Sequence, residues 1–162
     1  MVLIVTSAIV IILLRPAAVS IPQGFTSTFT LQNGYKVNYN PAVWEYKFDE
    51  TLGSTLNNKT NSESIVFSVS QIEKQVSEEA LINDIIQPLK KDNISIEKSK
   101  EIIDNIEFNK IVIIDKGDEN IIKNDQSISY LKLDGNIYTS ITIVNVVNSA
   151  DDAIAVVNTI RK

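Results

Sequence analysis

Residues 64–89, SIVFSVSQIEKQVSEEALINDIIQPL, change their apolar period partway along. Ile65, Phe67 and Val69 fall two apart, which places them on one face of a β-strand because successive side chains point to opposite sides. From Ser77 onward Leu81, Ile82, Ile85, Ile86 and Leu89 recur at three- and four-residue spacing, the pattern of an amphipathic helix. Ser77 is a good N-cap, Glu78 and Glu79 sit near the positive end of the helix dipole, and Pro88 loosens or ends the last turn. A helix with a single apolar face needs something flat to pack on, and the strand before it supplies a sheet.

The flanking sequence extends that sheet. Residues 29–32 and 35–40 flank Asn33-Gly34, a two-residue hairpin signal that predicts a type I′ turn with both residues at positive φ; Pro41 ends the second strand. Residues 44–48, WEYKF, alternate aromatic with charged side chains, so a strand with a buried aromatic face is expected. Residues 51–64 are polar with little periodicity and read as a loop. Downstream, strands are expected over 94–99 and 106–115, with the apolar run 111–114 suited to a central strand, then a turn over 116–124. Strands over 127–133 and 136–147 join through Asp134-Gly135. Ser149-Ala150-Asp151-Asp152 comes close to a capping box, and Ala153, Val156, Val157 and Ile160 share one side of a last helix. The predicted class is α+β, an antiparallel β-sheet covered by two amphipathic helices.

An apolar N-terminal helix is expected to precede this domain. Residues 2–14, VLIVTSAIVIILL, carry no charge, and Arg15-Pro16 and then Ala17-Ala18-Val19-Ser20 close the run. About 13 helical residues rise about 20 Å, short of the roughly 30 Å hydrocarbon core, which favours a signal peptide core. Ala18-Val19-Ser20 has the small residues a signal peptidase reads. However, Arg15 follows the run instead of preceding it, and residues upstream of Met1 that complete a spanning helix are one explanation. The expected organisation is a signal or membrane-anchor segment over 1–20, a linker over 21–28 and one domain over 29–162. Residues 1–14 would contact a membrane and the domain would be extracytoplasmic.

Composition narrows the chemistry. The 162 residues carry a net charge of −5 with Lys and Glu interspersed, which opposes nucleic-acid binding, because displacing counterions from phosphates needs clustered cations. There is no Cys and no His, so disulfides, thiolate metal sites, thiol nucleophiles and imidazole bases are all excluded. No cofactor is expected.

The layout resembles the fold shared by the PsbP extrinsic subunits of photosystem II, a Ran-binding nuclear import factor and small exported bacterial proteins. Tyr39-Asn40-Pro41-Ala42-Val43-Trp44 is similar to that fold's Tyr-Pro-x-x-Trp segment, with Asn40 standing between Tyr and Pro. The likeness continues through the mid-chain helix, the strand pair at Asp134-Gly135 and the C-terminal helix. It implies a binding or accessory role without a common catalytic residue set, and a protein partner.

Two constellations qualify as sites. Trp44, Tyr46 and Phe48, with Tyr35 or Tyr39, form a candidate aromatic binding face. Asp115, Asp118, Asn120 and Asp125 bring oxygen ligands to one loop, a candidate cation site whose spacing departs from an EF-hand. The adjacent acids Asp49-Glu50 and Asp151-Asp152 do not suit general acid and base work, since neighbours in a strand diverge and the second pair suits a helix N-terminus. The expected function is a non-enzymatic extracytoplasmic binding domain. The alternative is a structural subunit of a filament or membrane complex, self-assembling through its apolar N-terminal helix.

Overall fold

The computed structural model describes residues 21–51, 53–117, 125–146 and 149–162. The N-terminal run of residues 1–20 and the helix expected there lie outside the described residues. In chain order the described residues form β1 (Ser27–Thr30), β2 (Lys36–Tyr39), β3 (Trp44–Asp49), β4 (Gly53–Asn58) and β5 (Ser64–Gln71). Then come α1 (Glu78–Ile86), a 3-10 turn over Gln87–Leu89, β6 (Ile94–Ile103), β7 (Ile106–Asp115), β8 (Asp125–Asp134), β9 (Ile137–Val146) and α2 (Asp151–Val157). β1 and β2 make a separate ribbon, and the other strands form one seven-stranded antiparallel sheet in the order β3-β4-β5-β9-β8-β7-β6. The architecture is α+β.

Strand alternation divides the core between the two sheet faces. Phe67, Tyr130, Ile141 and Ile143 turn to one face, where they meet Phe29 and Val37 of the ribbon and Ala153, Val156, Val157 and Ile160 from α2 and the residues after it. Ile111 and Leu131 turn to the other face and cluster with Ile82 and Ile86 of α1. Ser77 caps α1 as its sequence predicts, its Oγ accepting the Ala80 N–H at 3.1 Å. Glu78 reaches further than the dipole argument requires, accepting the Leu133 N–H at 2.7 Å and so tying the start of α1 to β8. With α helices of nine and seven residues, most of the core is sheet.

Several expectations are corrected. β1 begins at Ser27, inside the segment read as linker, and ends at Thr30. The turn at 33–34 is not type I′: only Gly34 has positive φ, at 87°, and its N–H donates to the Leu31 carbonyl. Asn33 instead uses its side chain, donating from Nδ2 to Thr139 Oγ1 at 2.8 Å and accepting the Tyr35 N–H. The pair of positive-φ residues occurs at Asp104 and Asn105, at 45° and 63°, where β6 turns into β7. Short polar side chains tolerate that region, but without Gly the sequence signal is faint.

Residues 51–64, read as a loop, contain β4. Its inward positions are Ser54, Leu56 and Asn58; two of the three are polar, so hydropathy does not alternate although burial does. β7, read as central from its run 111–114, lies beside the edge strand β6. Its run is apolar because both faces are covered locally, Ile111 and Ile113 on the α1 side and Val112 on the other. α2 has Ala150 as N-cap and no capping box; Ser149 Oγ accepts the Asp151 N–H at 3.2 Å.

Candidate functional site

The edge strand β3 carries an aromatic surface. Trp44 is 2% exposed and belongs to the core, whereas Tyr46 is 37% and Phe48 56% exposed. The expectation of a fully buried aromatic face along 44–48 thus fails beyond Trp44. Position explains it: among the described residues β3 has a strand neighbour on one side only. The segment that leads into β3 is fixed by Asn40, whose carbonyl accepts the Val43 and Trp44 N–H groups and whose Oδ1 accepts from Ala42.

Four aromatic rings from four separate strands meet here. The Phe29 ring centroid lies 4.7 Å from that of Tyr46, 6.0 Å from Tyr39 and 5.2 Å from Phe67, the last pair edge to face. Tyr39 and Tyr46 stack at 6.4 Å, so these two predicted residues are brought together while Trp44 is set apart. Tyr46 Oη lies 3.3 Å from Ser54 Oγ, which fixes the ring on the sheet. Beside it a groove of about 280 Å³ is lined by Leu31, Tyr46, Phe48, Phe67 and Val69, with Glu50 as the one acid among its described lining residues. Of the residues the sequence suggests, Tyr46 and Phe48 are exposed here and Tyr35 is buried, whereas sequence reading missed Phe29 as a member of this surface. Its ring partners lie on other strands, and only the strand order shows that β3, with Phe48, is at an edge.

The cation candidates do not assemble among the described residues. Asp115 Oδ1 accepts from Asn93 Nδ2 and from the Gly117 N–H, both at 2.9 Å, so that oxygen serves the turn. Asp125 pairs with Asp115 through the β7–β8 register, and Asp118 and Asn120 lie outside the described residues. Among the described residues no three acids, histidines or cysteines converge on a common point.

On the α1 side, a second hollow holds Glu78, Glu79, Lys98, Lys100 and Lys110. Its lysines are engaged: Lys98 with Asn83 Oδ1, Lys100 with Glu107 at 2.7 Å and Lys110 with Glu101 at 2.8 Å. Glu63 is a buried acid that sequence reading passed over, 3% exposed with Oε1 lacking a hydrogen-bond partner. Burial, and then the charge of Asp152, push its carboxyl above the usual range, and the Asn58 amide opposes them.

No protein-family model and no curated protein matches this chain. Among solved structures it is similar to the solution structure of cyanobacterial PsbP (CyanoP) from Synechocystis sp. PCC 6803. The TM-score is 0.54 at 10% identity, over 83% of this chain and 91% of that one. A crystal structure from Bacteroides thetaiotaomicron VPI-5482 gives a TM-score of 0.49 at 18% identity, over 78% of this chain and 44% of that one. The fold is PsbP-like, as the order of elements over Phe29 to Lys162 implied. Likeness at this identity concerns fold alone, and function rests on the site.

Proposed function

We propose that this PsbP-like domain is a non-enzymatic extracytoplasmic binding or accessory protein, membrane-tethered or secreted, that recognises a protein or cell-envelope partner through the far end of β3. The observation that carries the reading is the exposure of Tyr46 and Phe48 together on an edge strand. Exposed aromatic rings next to a shallow groove are what a partner buries with profit, about 1.5–3 kcal/mol for one Phe side chain taken fully from water. The groove offers one carboxylate and the chain no histidine or cysteine, a poor set for acid–base or nucleophilic chemistry. The apolar run over residues 2–14 supports export or tethering.

Two measurements test it. External protease added to intact cells should degrade the domain, and its full protection until lysis would contradict the location. A photo-crosslinking residue at Phe48 should capture a discrete partner, with none captured from Lys100 on β6. Equal capture at both positions would remove the aromatic surface from the account.

A further inference from the structure

We infer that the partner of β3 is a second copy of this chain, the two β3 strands pairing antiparallel about a two-fold axis through Tyr46. The inference rests on reading β3 as the recognition element and adds what it recognises. Backbone geometry supplies the first step. The Val43 carbonyl accepts the Lys59 N–H, and Val43 lies opposite Lys59 in the β3–β4 register, so odd-numbered residues of β3 bond to β4. Even-numbered residues therefore point their N–H and C=O groups away from the sheet. Trp44 N–H is used by the Asn40 carbonyl, but the N–H groups of Tyr46 and Phe48 have no acceptor among the described residues.

Side-chain order then selects one register. The strand reads Trp44-Glu45-Tyr46-Lys47-Phe48, nearly self-complementary when reversed. With Tyr46 opposite Tyr46 of the other copy, Glu45 of each copy faces Lys47 of the other, and Trp44 faces Phe48. Tyr46 N–H groups bond reciprocally across the axis, and each Phe48 N–H meets a Trp44 carbonyl. Moving the axis one residue either way sets Lys47 against Lys47 or Glu45 against Glu45, and like charges directly opposite are unfavourable. In the single chain Glu45 and Lys47 pair with each other at 3.1 Å while 54% and 61% exposed, so both are available to exchange partners. The opposite edge, β6, lacks this property: about its centre, Ser99, reversal sets Lys98 against Lys100 and Glu97 against Glu101. Charges on an edge commonly prevent such pairing, and here they block β6 while fitting β3 to itself.

Charge exchange tests this in the full chain held in detergent, with mass followed by sedimentation velocity across a dilution series. Wild type should dimerise, and Glu45→Lys and Lys47→Glu should each weaken self-association tenfold or more. An equimolar mixture of those two variants should dimerise again, as should the double variant E45K/K47E. In this cysteine-free chain, Tyr46→Cys should give a dimer with a short bis-maleimide, and Lys100→Cys should not. Loss of association in the single variants without recovery in the mixture overturns the register, and unchanged dimers in all variants overturn the interface. A monomeric wild type whose Phe48 crosslinks a different protein overturns self-pairing and leaves the recognition reading of β3 intact.

Discussion

Asn38 and Thr159 lock the ribbon to the end of the chain: the Asn38 N–H donates to Thr159 Oγ1 at 2.9 Å, and Thr159 Oγ1 lies 2.9 Å from the Asn38 carbonyl and 2.7 Å from that of Val156. Both residues are buried, so water cannot replace either partner. Beside them Lys36 and Arg161 exchange backbone hydrogen bonds at 2.8 and 3.1 Å, extending the ribbon by one bridge. Thr159→Val keeps the volume and removes the acceptor, leaving the Asn38 N–H buried and unpaired. The expected cost is about 1–3 kcal/mol in a urea titration. A change within about 0.5 kcal/mol, as at ordinary surface sites, would show that the lock carries no stability.

Glu63 should make stability depend on pH. Its carboxyl is raised in the folded state by burial and by Asp152, so the folded protein binds this proton more tightly than the unfolded chain. The resulting stabilisation is fully present below the unfolded value, and it is lost as pH rises through the raised folded value. Glu63→Gln, which cannot ionise, should therefore be more stable than wild type at pH 7 and lose that advantage on acidification. An advantage that persisted unchanged into acid would mean that ionisation is not its source.

Two glycines with similar backbone angles should respond differently. Gly34 and Gly53 have φ of 87° and 89°, but a Cβ at Gly34 would meet open space, whereas one at Gly53 would lie 2.4 Å from the Phe67 carbonyl oxygen. Gly34→Ala pays only the left-handed conformation, about 1–2 kcal/mol. Gly53→Ala must also push β4 from β5 and should shift the denaturation midpoint further. Equal midpoints would contradict that close approach.

The parts of the fold legible in the sequence are those where one element's own pattern determines its burial. The three- and four-residue spacing from Leu81 and the Ser77 cap place the start of α1, although the helix ends at Ile86 and Leu89 falls in the 3-10 turn. Ala153, Val156 and Val157 are buried as their shared face predicts, and Ile160 is buried too, beyond the end of α2. β4 was hidden because Ser54 and Asn58 take inward positions that hydropathy assigns to water. The aromatic surface was half visible for a related reason. Alternation in WEYKF puts Trp44, Tyr46 and Phe48 on one side of the strand, but whether that side is covered depends on strand order, which no local pattern encodes.

Hydrogen exchange along β3 tests most directly whether this edge is where the protein meets its partner. Tyr46 and Phe48 N–H groups should exchange freely in dilute, monomeric protein and become protected in the assembled state. The Glu45 and Lys47 N–H groups, already turned toward β4, should change little. Protection of Tyr46 and Phe48 on assembly, with β6 unaffected, is the predicted result. Assembly that leaves these two amides exchanging at their monomer rates, or protects β6 instead, would contradict the account.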